Sequence, residues 1–229
     1  MPVAPPPADF AARTARILLE IKAVLFNADK PFIFTSGWAS PVYIDCRKVI
    51  SFPRERRAII EMAGKLLRDR AGQGSFDAIA GGETAGIAYA AWLAEAMDLP
   101  MLYVRKQAKG FGRMAQIEGD FHEGSRVLLV EDLTSDGKSK IKFAQALRQA
   151  GAIVDHTFTV FHYGIFSSVH KNMDDARLNL HALCTWWETL KAARETGYFE
   201  SRTLDEVEKF LEAPEAWSAA HGGASGEAA

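Results

Sequence analysis

The chain has 229 residues, 48% of them apolar, enough to bury the core of one α/β domain with additions or of two small ones. A net charge of −2 gives no overall basic face for nonspecific nucleic-acid binding. The two cysteines, Cys46 and Cys184, form no metal spacing, and no apolar run approaches the roughly 20 residues needed to span a bilayer, so a soluble cytoplasmic protein with reduced thiols is expected.

Residues 1–9 are rich in Pro and Ala, lack the basic start of a signal peptide, and are expected to be a disordered N-terminus. Phe10, Ile17, Leu18, Ile21, Val24 and Leu25 then keep to one stripe and predict a helix. Phe32 to Arg47 reads as a hairpin that turns at Ser36-Gly37 and returns through Val42 to Asp45. Residues 10–50 thus form a helix and a small hood, ahead of a core at 51–212.

Ser51 and Pro53 open a helix whose Ile59, Met62, Ala63 and Leu66 form the buried face. Phe76 to Ala80 is a short strand running into Gly81-Gly82-Glu83-Thr84-Ala85-Gly86 and a helix from about Ile87 to Met97. Met101 to Val104 is the next strand. It ends in the polar, glycine-containing segment Arg105-Lys106-Gln107-Ala108-Lys109-Gly110-Phe111-Gly112-Arg113. A loop of this length in a compact domain reads as a lid, and its four positive charges suit a substrate with many phosphate charges. The plainer reading is a solvated basic loop.

Val127 to Val130 is a continuous apolar run, as in a strand buried on both faces. Glu131, Asp132, Leu133, Thr134, Ser135, Asp136, Gly137, Lys138 and Ser139 follow, and then a helix on Ile141, Ala144 and Leu147 that closes at Gly151. A loop feeding a helix N-terminus aims free N–H groups at one point, which suits a phosphate. The two carboxylates accept hydrogen bonds only, which suits sugar hydroxyls or a developing positive charge. Alone, Asp-Gly is an ordinary turn; the paired acids after an apolar strand shift the balance. Two strand–loop–helix units argue for a parallel sheet with right-handed crossovers.

Ile153 to Phe161 and Leu178 to Leu183 complete the strands, the second at an edge. Thr185-x-x-Glu188 and Thr203-x-x-Glu206 read as capping boxes of two late helices, Trp186 and Trp187 as packing residues, and 213–229 as a mobile tail. No His/Cys cluster has zinc spacing, and no Gly-x-Ser-x-Gly elbow supports a serine nucleophile.

The stretch from Val127 to Ser139 resembles the ribose-phosphate signature of the type I phosphoribosyltransferases. The hood pattern Phe-x-x-x-Ser-Gly-x-x-Ser-Pro-x-x-x-Asp and the basic loop are similar to those of the orotate phosphoribosyltransferases. The resemblance implies an α/β fold with a central parallel sheet flanked by helices and a small N-terminal hood. It implies that Tyr43 and Ile44, with Thr35 beside the turn, meet a planar base, and that Thr84 and Ala85 face diphosphate. Arg105, Lys106, Lys109 and Phe111 would close over it. Lys109, Glu131 and Asp132 would be catalytic, the turn from Thr134 to Ser139 would hold the 5'-phosphate, and Leu133 would belong to the substrate-binding stretch.

Orotate, phosphoribosyl diphosphate and substrate-borne Mg²⁺ would be its ligands, and a homodimer sharing the basic loop its working unit. Members also carry an Asp-Arg after the following strand, whose arginine grips the orotate carboxylate. Here Phe161 to Phe166 holds no arginine; His162 or Lys171 is the substitute the sequence offers. Transfer to another base, and a regulator that senses phosphoribosyl diphosphate, are the rival readings.

Overall fold

The computed structural model describes residues 3–34, 37–110 and 115–224. Helix α1 spans Ala8–Glu20, five residues short of the stripe that predicted it. Lys22 adopts a left-handed φ of 55°. The Ala23 N–H bonds the Leu18 carbonyl and the Lys22 N–H the Leu19 carbonyl, a Schellman stop built on lysine instead of glycine. Val24 and Leu25, expected in the helix, belong to strand β1 (Val24–Phe26).

The hood differs from a simple hairpin. Strand β2 (Phe32–Ile33) pairs with β3 (Ala39–Ser40), whereas the returning strand β4 (Val42–Ile44) pairs antiparallel with β1, Val24 opposite Ile44. A 3-10 helix (Cys46–Ser51) leads into α2 (Pro53–Ala71), which starts with proline where its missing N–H costs nothing. The division expected at residue 50 falls inside this 3-10 helix, and one apolar cluster joins Phe10 and Val42 to Leu183 and Trp186.

Six strands make the main sheet: β5 (Ala78–Gly82), β6 (Met101–Val104), β7 (Ile117–Glu118), β8 (Arg126–Thr134), β9 (Ile153–His162) and β10 (Asn179–Thr185). Their order is β10-β9-β8-β5-β6-β7, all parallel except β7. Helix α3 spans Ala85–Met97, α4 Lys138–Gln149, α5 Ser168–Asp175, α6 Trp186–Thr196, α7 Ser201–Glu212 and α8 Pro214–Ala220. The apolar clusters lie on the two faces of the sheet. In β8, Leu128 and Val130 join the cluster of α1–α3 and α6, and Val127 and Leu129 join that of α4 and α5. Each of these four is at most 1% exposed, and burying such a side chain contributes about 1.5–3 kcal/mol.

Both chain ends are better anchored than composition suggested. Val3 is buried and bridges to Leu180 on the sheet edge, and Arg70 donates to the Pro5 carbonyl at 2.5 Å. Proline is already extended, so little chain freedom is lost in laying it along β10. At the other end, Trp217 is buried against Phe210. The Ser218 hydroxyl accepts from the Ala39 N–H at 3.0 Å and donates to the Ala224 carbonyl, and the Ala224 N–H bonds the Gly37 carbonyl. The expected mobile tail is therefore, as far as Ala224, a strap across the hood. The Thr185–Glu188 capping box forms, but Thr203 lies within α7, whose N-cap Glu200 makes no side-chain cap.

Candidate active site

A cleft of about 990 Å³ opens between the hood and the carboxyl ends of β5 and β8. From β5 the chain crosses to β6 on one side, while β8 and β9 extend the sheet on the other. That reversal is where ligands bind in open parallel sheets.

Strand alternation places the two acids. Glu131 has the parity of Val127 and Leu129 and turns toward α4; Asp132 has that of Leu128 and Val130 and turns toward α3 and the 3-10 helix. They enter the cleft from opposite faces of one strand, and both line it. Glu131 is 8% exposed, with Oε2 at 3.3 Å from Lys140 Nζ. Its Oε1 has no hydrogen-bond partner. Gly82 and Gly86 make room for it: a Cβ at Gly82 would collide with Oε1, and one at Gly86 with the Val130 carbonyl. Burial raises the Glu131 pKa and Lys140 opposes that rise; burial likewise raises Asp132, against Lys140 and the Leu133 N–H, which donates to it at 2.9 Å.

The predicted phosphate turn is a tight loop. Gly137 takes φ 83° as N-cap of α4, and any Cβ there would strike the Met173 methyl. The Asp136 carboxylate accepts from the Lys138 N–H at 3.1 Å and pairs with Lys138 Nζ, while Asn172 donates to the Asp136 carbonyl. Leu133, Ser135, Asp136 and Ser139 line the cleft. Thr134 is turned into the interior, 1% exposed, and like Gly137 and Lys138 is not part of the lining.

Across the cleft, Thr84 and Ala85 sit at the start of α3, after a cis peptide between Glu83 and Thr84. Lys106 lines the cleft, its N–H donating to Glu83 Oε2 at 2.7 Å. Arg105 instead pairs with Glu118 on β7, and Lys109 lies outside the lining, its N–H on the Ala115 carbonyl. Thr35 and Phe111 fall outside the described residues.

On the hood side Tyr43 and Ile44 join an aromatic wall of Phe34, Trp38, Tyr163 and Phe166. Tyr163 and Phe166 stack at 6.2 Å, and Trp38 meets Phe166 edge-on. Neither proposed substitute for the carboxylate-gripping arginine is placed for it. His162 is buried, off the cleft, and held neutral by burial at a pKa of about 4; Lys171 is exposed on α5 and paired with Asp175. Sequence reading passed over Glu83, Lys142 and Arg47, all in the lining. Arg47 donates its Nε to Asp45 at 2.7 Å and an Nη to the Tyr43 hydroxyl at 3.4 Å. Its signal was the i, i+2 spacing from Asp45, immediately after the returning strand.

Residues 51–178 match the family model described as a phosphoribosyl transferase domain. The chain is 54% identical over 217 residues to an orotate phosphoribosyltransferase of Dinoroseobacter shibae, covering 95% of this chain and 96% of that one. It is 53% identical to that of a Ruegeria species over 96% and 98% of the two chains. Among solved structures, orotate phosphoribosyltransferase from Aeropyrum pernix matches with TM-score 0.66 at 28% identity, over 81% of this chain and 99% of that. UMP synthase from Leishmania donovani matches with TM-score 0.76 at 28% identity; 87% of this chain is covered, and 42% of that longer one. With the switch-point cleft, the acid pair and near-full-length relatives in agreement, the chain belongs to the orotate phosphoribosyltransferase family.

Proposed function

We propose that this protein transfers the phosphoribosyl group of phosphoribosyl diphosphate to orotate, giving orotidine 5'-phosphate and diphosphate in pyrimidine (UMP) synthesis. The observation that carries the reading is the pair of carboxylates entering one cleft from opposite faces of β8, Asp132 half-buried and Glu131 buried with an orphaned oxygen. A ribose lying between them satisfies that oxygen with a hydroxyl. As the bond from C1 to diphosphate breaks, positive charge grows on the ribose ring, and the two carboxylates stabilise it in place. A ring nitrogen of the base takes the vacated bond at C1, and no side chain becomes covalently attached.

The 5'-phosphate is assigned to the turn of Ser135, Asp136 and Ser139 at the N-terminus of α4, with Lys142 alongside. Diphosphate is assigned to Thr84 and Ala85, with Lys106 on the cleft side of the basic loop and Lys109 brought in by closure. Mg²⁺ is assigned to the diphosphate oxygens, in line with its preference for retained waters and substrate phosphates. Bound there, Mg²⁺ would offset the charge released on the leaving group.

Orotate's flat ring fits against the aromatic wall, and its carboxylate is assigned to Arg47, the cation on the hood side of the cleft. Two copies sharing their basic loops are taken as the working unit. A cytoplasmic location is part of the same proposal; no helix among the described residues is long and apolar enough to cross a membrane.

A base panel with phosphoribosyl diphosphate and Mg²⁺, read by diphosphate release, tests the assignment. Turnover with orotate and not with adenine or hypoxanthine is expected; the reverse pattern would hand the site to another base. Arg47→Ala should raise KM for orotate about tenfold and leave KM for phosphoribosyl diphosphate nearly unchanged. Equal shifts in both would remove Arg47 from the base site. Mixing the impaired Lys109→Ala and Asp132→Asn subunits should restore up to about a quarter of parental activity if loops are shared; no recovery above the two variants' own residual rates would confine each site to one chain.

A further inference from the structure

We propose that Lys140 is a positioning residue that keeps Glu131 charged and turned to the ribose while the carboxylate is buried. The inference rests on the phosphoribosyl-transfer reading and adds a residue to it. Lys140 lies in the first turn of α4, yet it is only 4% exposed. Its Nζ meets Glu131 Oε2 at 3.3 Å and the Ser139 hydroxyl at 3.2 Å. An ammonium taken this far out of water needs an anion beside it to offset its lost hydration, and Glu131 is the anion at hand.

The environment of Glu131 makes the dependence mutual. From β5 and α3 it meets Gly82 and Gly86, which offer no charge; from β9 the register brings Thr159. Asp132 on its own strand repels it, and of the two cations that favour its charge Lys140 acts more strongly than Lys106. Oε1 has no partner. Without Lys140 both oxygens would be buried and unpaired, and the carboxyl would take up a proton instead. A neutral Glu131 gives no electrostatic support to a positive ribose. Because the Nζ also holds Ser139, the one ammonium fixes the distance between the sugar acid and the phosphate turn.

The test compares Lys140→Met, Lys140→Gln and Lys140→Arg with the parent. Lys140→Gln keeps a donor, removes the charge, and stands in if the methionine variant does not fold. In the unliganded protein, carbon-13 NMR of labelled glutamate should place the Glu131 titration at higher pH in Lys140→Met and Lys140→Gln than in the parent, and near the parental position in Lys140→Arg. The kcat/KM of the neutral variants should fall about 100-fold at pH 6 and about tenfold at pH 8.5. A loss that is equal at all pH values, or an unmoved Glu131 titration, overturns the proposal and leaves Lys140 a packing or phosphate contact. Parental turnover with orotate decides the functional reading, whereas the Glu131 titration needs no substrate, so the two can fail separately.

Discussion

Strand β8 carries an ion pair at each end, and the two pairs are built differently. At its start, Arg126 holds Asp77 through two parallel bonds of 2.9 and 2.6 Å, both side chains remain wet, and every bond is made; the contact holds the Asp77 carboxyl down at about 2. At its other end, Glu131 and Lys140 are buried at a longer 3.3 Å with an oxygen unmatched. The exposed pair is complete in itself and worth little. The buried pair is incomplete and sits where a ligand can complete it.

Charge removal should affect the two ends of β8 differently. Glu131→Gln with Asp132→Asn is expected to lower kcat about 10³-fold or more with Tm held or raised, because a buried charge and the half-buried like charge beside it are removed. A Tm collapse instead would make the acids structural. Trp217→Ala is expected to cost about 3 kcal/mol in chemical denaturation, and because its helix straps the hood, to raise KM for the base as well. Stability loss with unchanged KM would separate strap from hood. Lys109→Ala should reduce kcat about 50-fold with stability unaltered; an unchanged rate would leave the basic loop a surface feature.

Smaller effects lie at the amino end of the sheet. His156 Nδ1 and His181 Nε2 are 2.8 Å apart, so they share one proton, and burial lowers both, His181 to about 4. A histidine lowered in the fold binds its proton sooner when unfolded, so its contribution is full above about pH 6.5 and is lost as pH falls toward 4. His181→Gln should remove roughly 2 kcal/mol of that acid sensitivity in melts at pH 4.5 against pH 7.5. Asp77→Asn, the mildest change, should lower Tm slightly in dilute buffer and not in molar salt, with turnover untouched.

The same strand shows what a sequence discloses. The apolar run of β8 with its acids and turn was legible because each signal is local: continuous burial, then charge, then Gly137. Parity was legible too, but was not applied; it already separates Glu131 and Asp132 onto opposite faces. Lys140 could not be read, since a lysine in the first turn of a helix looks solvated until Glu131 and Ser139 are seen to meet its ammonium. The end of α1 escaped notice because Lys22 stands where glycine usually marks the stop. The C-terminal strap escaped for another reason: Ser218 and Ala224 gain their meaning only from Gly37 and Ala39, some 180 residues away.

The most direct measurement is calorimetric titration of phosphoribosyl diphosphate, with Mg²⁺, into the parent and into Glu131→Gln/Asp132→Asn, with Tm followed in parallel. Micromolar binding by the parent and at least a 100-fold weaker affinity in the folded variant is the predicted result. Equal affinity in the two would contradict the convergence of both carboxylates on one ribose.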